Sequence, residues 1–156
     1  MTLVTIGISL HNNLELTQQC LNSFIKNINY KDYELIIVDG ASTDGTQNWL
    51  LEQQKKKIFP SLKLLFLGKP WFPTRSINLA IKNMDSKSKY FCCCDNDIIF
   101  GKNWLRPLIK TMEKNLQIGG CSPVICNLDW SPNNMGRNYP FIEKRENAVS
   151  YTHLRA

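Results

Sequence analysis

Short apolar runs alternate with helix-patterned segments along residues 3–125, and this alternation limits the possible folds more than any other feature of the chain. Residues 3–10 (LVTIGISL) are β-rich and bounded by polar residues. Leu16, Cys20, Leu21, Phe24, Ile25 and Ile28 then recur at helical spacing, which predicts an amphipathic helix over 14–28. Residues 33–38 (YELIIV) form a nearly continuous apolar run, the pattern of a strand buried on both faces. Asp39-Gly40 breaks that run. Ser42, Thr43 and Asp44 supply N-cap chemistry for a helix reaching about Lys57, and Pro60 ends the unit. Residues 62–67 read as a third strand closed by Gly68, and Ile77, Ala80, Ile81 and Met84 mark the next helix. Tyr90 to Cys94 reads as a fourth strand. A helix follows with Trp104, Leu105, Leu108, Ile109 and Met112 on one face, and with Pro107 in its first turn or so, where proline is tolerated. Residues 118–125 suit a further strand, which Pro123 confines to an edge or an irregular position.

This order implies βαβ units: an α/β fold with a mostly parallel sheet, right-handed crossovers and helices on both faces. Its length of 156 residues favours one domain with a sizeable core. Apolar residues at 43% exclude wholesale disorder. After about residue 127, Asn, Pro and Gly accumulate and no period survives. The expected division is a ligand-binding portion at 1–127, an irregular region at 128–148, and a tail at 149–156. No apolar run approaches the ~18 residues that a membrane span needs, and the first residues read as a strand, not a signal peptide.

Cysteine usage bounds the compartment. Cys92, Cys93 and Cys94 are consecutive, a poor disulfide framework, and with Cys20, Cys121 and Cys126 they form no CxxC zinc pattern. A reduced, cytoplasmic setting follows, with the six thiols expected as small buried hydrophobes. The net charge is +6, and Lys55, Lys56 and Lys57 form the one lysine run. Such an excess suits phosphate-bearing ligands, anionic lipid heads or nucleic acid. The basic residues are otherwise scattered and no nucleic-acid-binding signature is present, so nucleic acid is not expected as a partner.

In a parallel sheet of this kind ligands sit beyond the carboxyl ends of the strands. The polar residues there are His11-Asn12, Asp39-Gly40 and Asp95-Asn96-Asp97. Asp95 and Asp97 stand two apart at a strand exit, a spacing that aims alternate side chains the same way. Two carboxylates so close repel unless a cation bridges them or one is protonated. Their hard oxygens suit Mg2+ or Mn2+, and a polar loop capping the next helix is the plainer alternative. Asp39 could accept hydrogen bonds from a base or a ribose, or simply cap backbone amides. Asp44 reads most simply as a helix cap. No GxGxxG and no Walker A motif is present.

Together these segments resemble family 2 glycosyltransferases. Ser9-Leu10-His11-Asn12-Asn13 stands where the family usually reads Pro-Thr-Tyr-Asn. Ile36 to Thr46 (IIVDGASTDGT) is similar to its Val-Asp-Asn/Asp-Gly-Ser-Thr-Asp-Gly-Thr motif. Asn78-Leu79-Ala80 fits its Asn-x-Gly/Ala helix, Asp95-Asn96-Asp97 its Asp-x-Asp motif, and Asn103-Trp104-Leu105 the segment beyond. The resemblance covers residues 3–127.

The resemblance implies a GT-A, Rossmann-like sheet, incomplete at the C-terminus, that binds a nucleotide-diphosphate sugar with Mn2+ or Mg2+. The implied nucleotide-site residues are Ser9, His11, Asn12, Asp39, Asp44, Arg75, Asn78, Asp95 and Asn96. Asp95 and Asp97 would hold the metal, and Arg75 would add a guanidinium clamp on phosphate. The implied activity is transfer of a sugar to a hydroxyl of a glycan or lipid-linked acceptor during cell-surface polysaccharide synthesis, with peripheral association at the inner face of a membrane. An inverting transferase also needs a carboxylate base. Only Asp129, Glu143 and Glu146 remain as candidates, and none lies in a recognisable base motif, so the base is expected to be missing from the chain. The rival reading is a nucleotide-binding module without catalysis. Residues 149–156 resemble translated adapter sequence and are expected to carry no evolved structure.

Overall fold

The structure, a computed structural model, describes residues 3–70, 73–123 and the backbone of 149–152. The chain divides into two compact units, Met1–Gly101 and Lys102–Ala156. The first contains β1 (Val4–Leu10), α1 (Leu14–Asn27), β2 (Tyr33–Asp39), α2 (Thr46–Lys55), β3 (Leu62–Phe66), α3 (Pro73–Lys82) and β4 (Tyr90–Asp95). Its four strands form one fully parallel sheet in the order β3-β2-β1-β4. The two central strands, β1 and β2, are buried almost throughout, because both of their faces are covered.

Register decides which side chains meet. Val4, Ile6, Ile8 and Leu10 stand beside Tyr33, Leu35, Ile37 and Asp39, so these residues share one face. Helix α1 covers that face. Phe24, fully buried, meets Tyr33 edge-on at 5.6 Å, Phe100 at 5.2 Å and Phe59 at 6.1 Å between ring centroids. The opposite face carries Ile36 and Val38 against Ala80 of α3, with Leu65, Leu67, Leu79, Met84 and Phe91 around them. Helices therefore cover both faces, as the alternation requires.

Gly7 sits on the α3 face. A Cβ there would strike the Phe91 ring and stand 3.3 Å from the Ala80 Cβ. Gly7→Ala is expected to lower stability by about 1–3 kcal/mol through overpacking. The check is the urea midpoint, which should fall with an unchanged slope.

At the amino edge of the sheet, Glu34 ties four segments together. It accepts hydrogen bonds from Thr5 Oγ1 and the Asp85 N–H, and pairs with Lys63 Nζ at 2.8 Å. Burial opposes ionisation of Glu34, but the bonds from Lys63, Thr5 and Asp85 outweigh it and hold the carboxyl below its usual range. The unfolded chain therefore binds this proton more readily than the folded one, and stability falls as pH drops through the folded value. Glu34→Gln should flatten the acid limb of a stability–pH curve recorded by thermal melts.

In the second unit, α4 (Leu105–Lys114) packs on β5 (Gly120–Pro123), and the Cys121 thiol donates to the Leu108 carbonyl at 3.6 Å. β5 pairs antiparallel with β6 (Val149–Thr152). Thus four residues of the tail expected at 149–156 have a strand partner, while 153–156 lie outside the described residues, as does the whole region expected to be irregular, 128–148. Trp104, half-buried, stands at the N-cap of α4, one residue before the helix begins.

The cysteines need one correction. Cys94 is buried and Cys92 half-buried, with their sulfurs 3.7 Å apart on one side of β4. Cys93 is exposed, because β4 is an outer strand of this sheet and its α3-side residue there meets no cover. Cys126 lies outside the described residues. Among the described residues, no helix is long and apolar enough to cross a membrane.

Candidate functional site

The strand order changes direction beside β1: β2 lies on one side of it and β4 on the other. Open parallel sheets bind ligands in the crevice beyond such a point. Leu10 stands beside Asp39 and Ser9 beside Asp95, so the two acidic strand ends flank the end of β1. Two interstrand spacings put them about 10 Å apart at the backbone. The site lies wholly within the first unit.

Asp39 is the last residue of β2 and has no exposed surface. Its Oδ1 accepts from the Ser42 N–H at 2.9 Å and from Gln47 Nε2 at 2.6 Å. Its Oδ2 is buried with no hydrogen-bond partner. A buried carboxylate oxygen without a donor is costly, so this oxygen marks a place where a donor is wanted. Capping, one of the two roles open to Asp39 from sequence, thus uses one oxygen of the carboxylate and leaves the other without a partner.

The loops after β1 and β2 are tied into one surface. The Gly40 N–H donates to the Leu10 carbonyl at 2.8 Å, and a Cβ at Gly40 would stand 3.5 Å from the His11 Cβ. The Asn12 N–H donates to Ser42 Oγ at 2.6 Å, and Asn12 Oδ1 accepts from the Thr43 N–H at 2.8 Å. Asn12, Asn13 and Ala41 take left-handed backbone conformations, with φ of 56°, 61° and 63°. Asparagine tolerates that region; for alanine it marks a strained corner held by the surrounding bonds. The Asn12 amide lies 3.4 Å from His11 Nε2, so these two side chains stand together at the rim.

Asp44 has a structural task. Its Oδ2 accepts from the Leu14 N–H at 2.9 Å, at the start of α1, and its Oδ1 accepts from Thr46 N–H and Oγ1, at the start of α2. Partial burial opposes its charge, yet the bonds from Thr46 and Leu14 hold the carboxyl below the usual carboxylate range. Helix α2 begins at Thr46, after Gly45 at φ 93°, and not at the earlier Ser-Thr pair.

On the far side of β1, Asp95 ends β4, and Asn96 and Asp97 form a turn. Strand alternation therefore stops at Asp95 and does not by itself aim the two carboxylates together. Both are exposed, and no hydrogen bond or ion pair engages either carboxylate among the described residues. Helix α1 underlies them. Asn96 Nδ2 donates to Thr17 Oγ1 at 2.9 Å, and the Cys20 thiol lies 3.6 Å from the Asp95 carbonyl. Burial, aided by the nearby charges of Asp97 and Asp95, pushes the Cys20 thiol up to about 12, so it is neutral and inert. Among the described residues, no third carboxylate, histidine or cysteine joins the pair as a metal cluster.

Arg75 lies in the first turn of α3 and Asn78 a turn later, both exposed, with the helix N-terminus at the same carboxyl edge. Sequence reasoning missed Gln47, which holds Asp39 from α2, and Thr17, which holds Asn96 from α1. Neither carries a local signal, because each acts across the fold. Asp129, Glu143 and Glu146 lie outside the described residues.

Solved structures share the fold. A mannosyltransferase, PcManGT from Pyrobaculum calidifontis, solved with GDP-Man and Mn2+, superposes with a TM-score of 0.70 at 19% identity, over 80% of this chain and 35% of that one. TarS 1-349 from S. aureus, solved with UDP-GlcNAc, superposes with a TM-score of 0.65 at 19% identity, over 90% of this chain and 37% of that one. The chain thus spans little more than a third of the length of these relatives. No curated protein sequence matches it. The family model for glycosyl transferase family 2 matches residues 5–155, nearly the whole chain, and the GT-A arrangement of the parallel sheet accords with it: the chain belongs to glycosyl transferase family 2.

Proposed function

We propose that this chain binds a nucleotide-diphosphate sugar across the carboxyl ends of β2, β1 and β4, and that it serves transfer of the sugar to a hydroxyl acceptor. The observation that carries this reading is the unpartnered buried Oδ2 of Asp39, about 10 Å of backbone spacing from an unengaged carboxylate pair. That separation suits a nucleoside at one end and its diphosphate at the other. In this reading Asp39 Oδ2 accepts an N–H of the base or a ribose hydroxyl. His11 and Asn12 line the same pocket, Ser9 and Asn96 flank its floor, and Arg75 and Asn78 approach the phosphates from α3. Asp44 contributes by fixing the two loops against each other.

Asp95 and Asp97 fit a hard divalent ion, Mn2+ or Mg2+. Two carboxylates, with no third carboxylate, histidine or cysteine clustered beside them among the described residues, leave positions for water and phosphate oxygens, as these ions prefer. When bound, such an ion supplies Lewis-acid stabilisation of the charge that gathers on the departing diphosphate. The Mn2+ and nucleotide-sugar complexes of the structural neighbours support this reading. The acceptor is a glycan or a lipid-linked chain in cell-surface polysaccharide synthesis, with the protein working at the inner face of the membrane.

Hydrolysis of nucleotide sugars, with and without Mn2+, tests the reading. Metal-dependent release of nucleoside diphosphate from one donor supports a transferase. Tight nucleotide binding with no turnover of any donor supports the binding-module alternative instead.

A further inference from the structure

The charge of the first unit is divided between the two edges of its sheet. In a parallel α/β layer the helices end where the strands begin, so helix C-termini and strand starts share the amino edge. Helices α1, α2 and α3 each carry a lysine in the last turn: Lys26, Lys55 and Lys82. The segments entering β2 and β4 add Lys31, Lys87 and Lys89. Lys56 and Lys57 follow α2, and Lys63 is the second residue of β3. All nine are exposed. Four carboxylates, Asp32, Glu34, Glu52 and Asp85, share this edge, and Glu34 is spent internally on Lys63. The carboxyl edge reverses the balance. There, among the described residues of the first unit, Glu15, Asp39, Asp44, Asp95 and Asp97 outnumber the cations Lys69 and Arg75.

Exposed apolar side chains interrupt the basic edge. Ile58 follows the lysine run and is 42% exposed, and Ile81 precedes Lys82 with the same exposure. Lysines beside protruding aliphatic side chains suit an anionic lipid surface, where the ammonium groups meet headgroups and the aliphatic groups enter the acyl boundary. Among the described residues the edge offers no arginine fork for phosphate; of its tyrosines, Tyr30 and Tyr33 are buried, and the half-buried Tyr90 ring has the Lys89 ammonium over it at 5.3 Å, so an open stacking platform for single-stranded nucleic acid is lacking. A cavity of about 520 Å3 opens here, lined by Lys31, Asp32, Glu34, Lys63 and Asp85 among others. Its three carboxylates exclude it as a discrete phosphate pocket, so the attraction is spread over the edge.

We propose that the amino edge of the sheet is a docking surface for an anionic membrane. Docked this way, the domain turns its carboxyl edge away from the lipid. A strand of seven residues, at about 3.3 Å per residue, then holds the candidate site roughly 20 Å above the surface. Soluble donors enter from water, and an acceptor reaches the site as the end of an extended chain, not as a headgroup. The docking argument rests on charge placement and stands apart from the nucleotide reading.

The test is co-sedimentation of the full chain with vesicles of phosphatidylcholine alone, and with vesicles that contain an equal share of phosphatidylglycerol. Binding is expected only to the anionic vesicles, and it should weaken steeply with salt. Joint replacement Lys55→Glu, Lys56→Glu and Lys57→Glu should lower binding more than about tenfold, given roughly a tenfold change per 1.4 kcal/mol and about 1 kcal/mol per lysine. The pair Lys87→Glu and Lys89→Glu should act in the same direction from the other end of the edge. Ile58→Ser should weaken binding without altering its salt dependence, and Lys69→Glu, at the carboxyl edge, should leave it unchanged. Melting curves separate lost docking from lost folding. Equal binding to both vesicle types, no binding to either, or tighter binding to single-stranded RNA than to the anionic vesicles would overturn the proposal.

Discussion

Asp39→Ala is expected to weaken binding of a nucleoside diphosphate by about 10- to 100-fold, the scale of one hydrogen bond to a charged group. The dependence on metal should survive, because Asp95 and Asp97 lie across β1, at the end of β4 and in the turn after it. Alanine also strands the Ser42 N–H and the Gln47 amide, so some loss of stability comes with it. Asp39→Asn separates the two effects. It keeps an acceptor for Ser42 and Gln47, but turns the unpartnered oxygen into a donor, which repels a base N–H and removes the negative charge that strengthens a bond from a ribose hydroxyl. Calorimetry should therefore show weak binding by a variant that melts near the wild-type temperature. Normal binding by both variants, with earlier melting of the alanine form, would make Asp39 a structural cap and nothing more.

Phe24→Ala should have the largest effect on stability. The ring is fully buried and touches Tyr33, Phe59 and Phe100, which come from three separate segments. Truncation to alanine in such a place costs about 3–5 kcal/mol. Against a typical domain stability of about 5–15 kcal/mol, that is a large share. Phe66→Ala, at the 39% exposed end of β3, should cost less than half as much. Chemical unfolding of both variants in parallel decides. Similar losses would mean that the α1 face does not dominate the core.

The order of elements could be read from apolar periodicity because each element buries a face with its own repeat. α1 was expected over 14–28 and spans Leu14–Asn27, while β2 was expected to stop before Asp39 and includes it. The misses share one cause: they depend on what lies across the fold. Nothing local to Cys93 shows that β4 is an outer strand of its sheet. Nothing in Ser-Thr-Asp-Gly-Thr says that the Asp44 carboxylate reaches over to Leu14, thirty positions earlier. The partners of Asp39 illustrate the limit best. The motif marks the aspartate, but the split between its satisfied and unsatisfied oxygens appears only once α2 brings Gln47 to it. The division of charge between the two sheet edges is hidden in the same way, since scattered lysines gather only when three helices end together.

The central claim is that Asp95 and Asp97 bring a divalent ion to a nucleotide held at the end of β1. Its most direct test is titration calorimetry of UDP and GDP into the full chain, with Mn2+ and with the metal chelated. The account predicts that at least one nucleotide binds tightly only with Mn2+, and that Asp95→Asn and Asp97→Asn each remove most of the gain. Equal affinity with and without Mn2+ would contradict it.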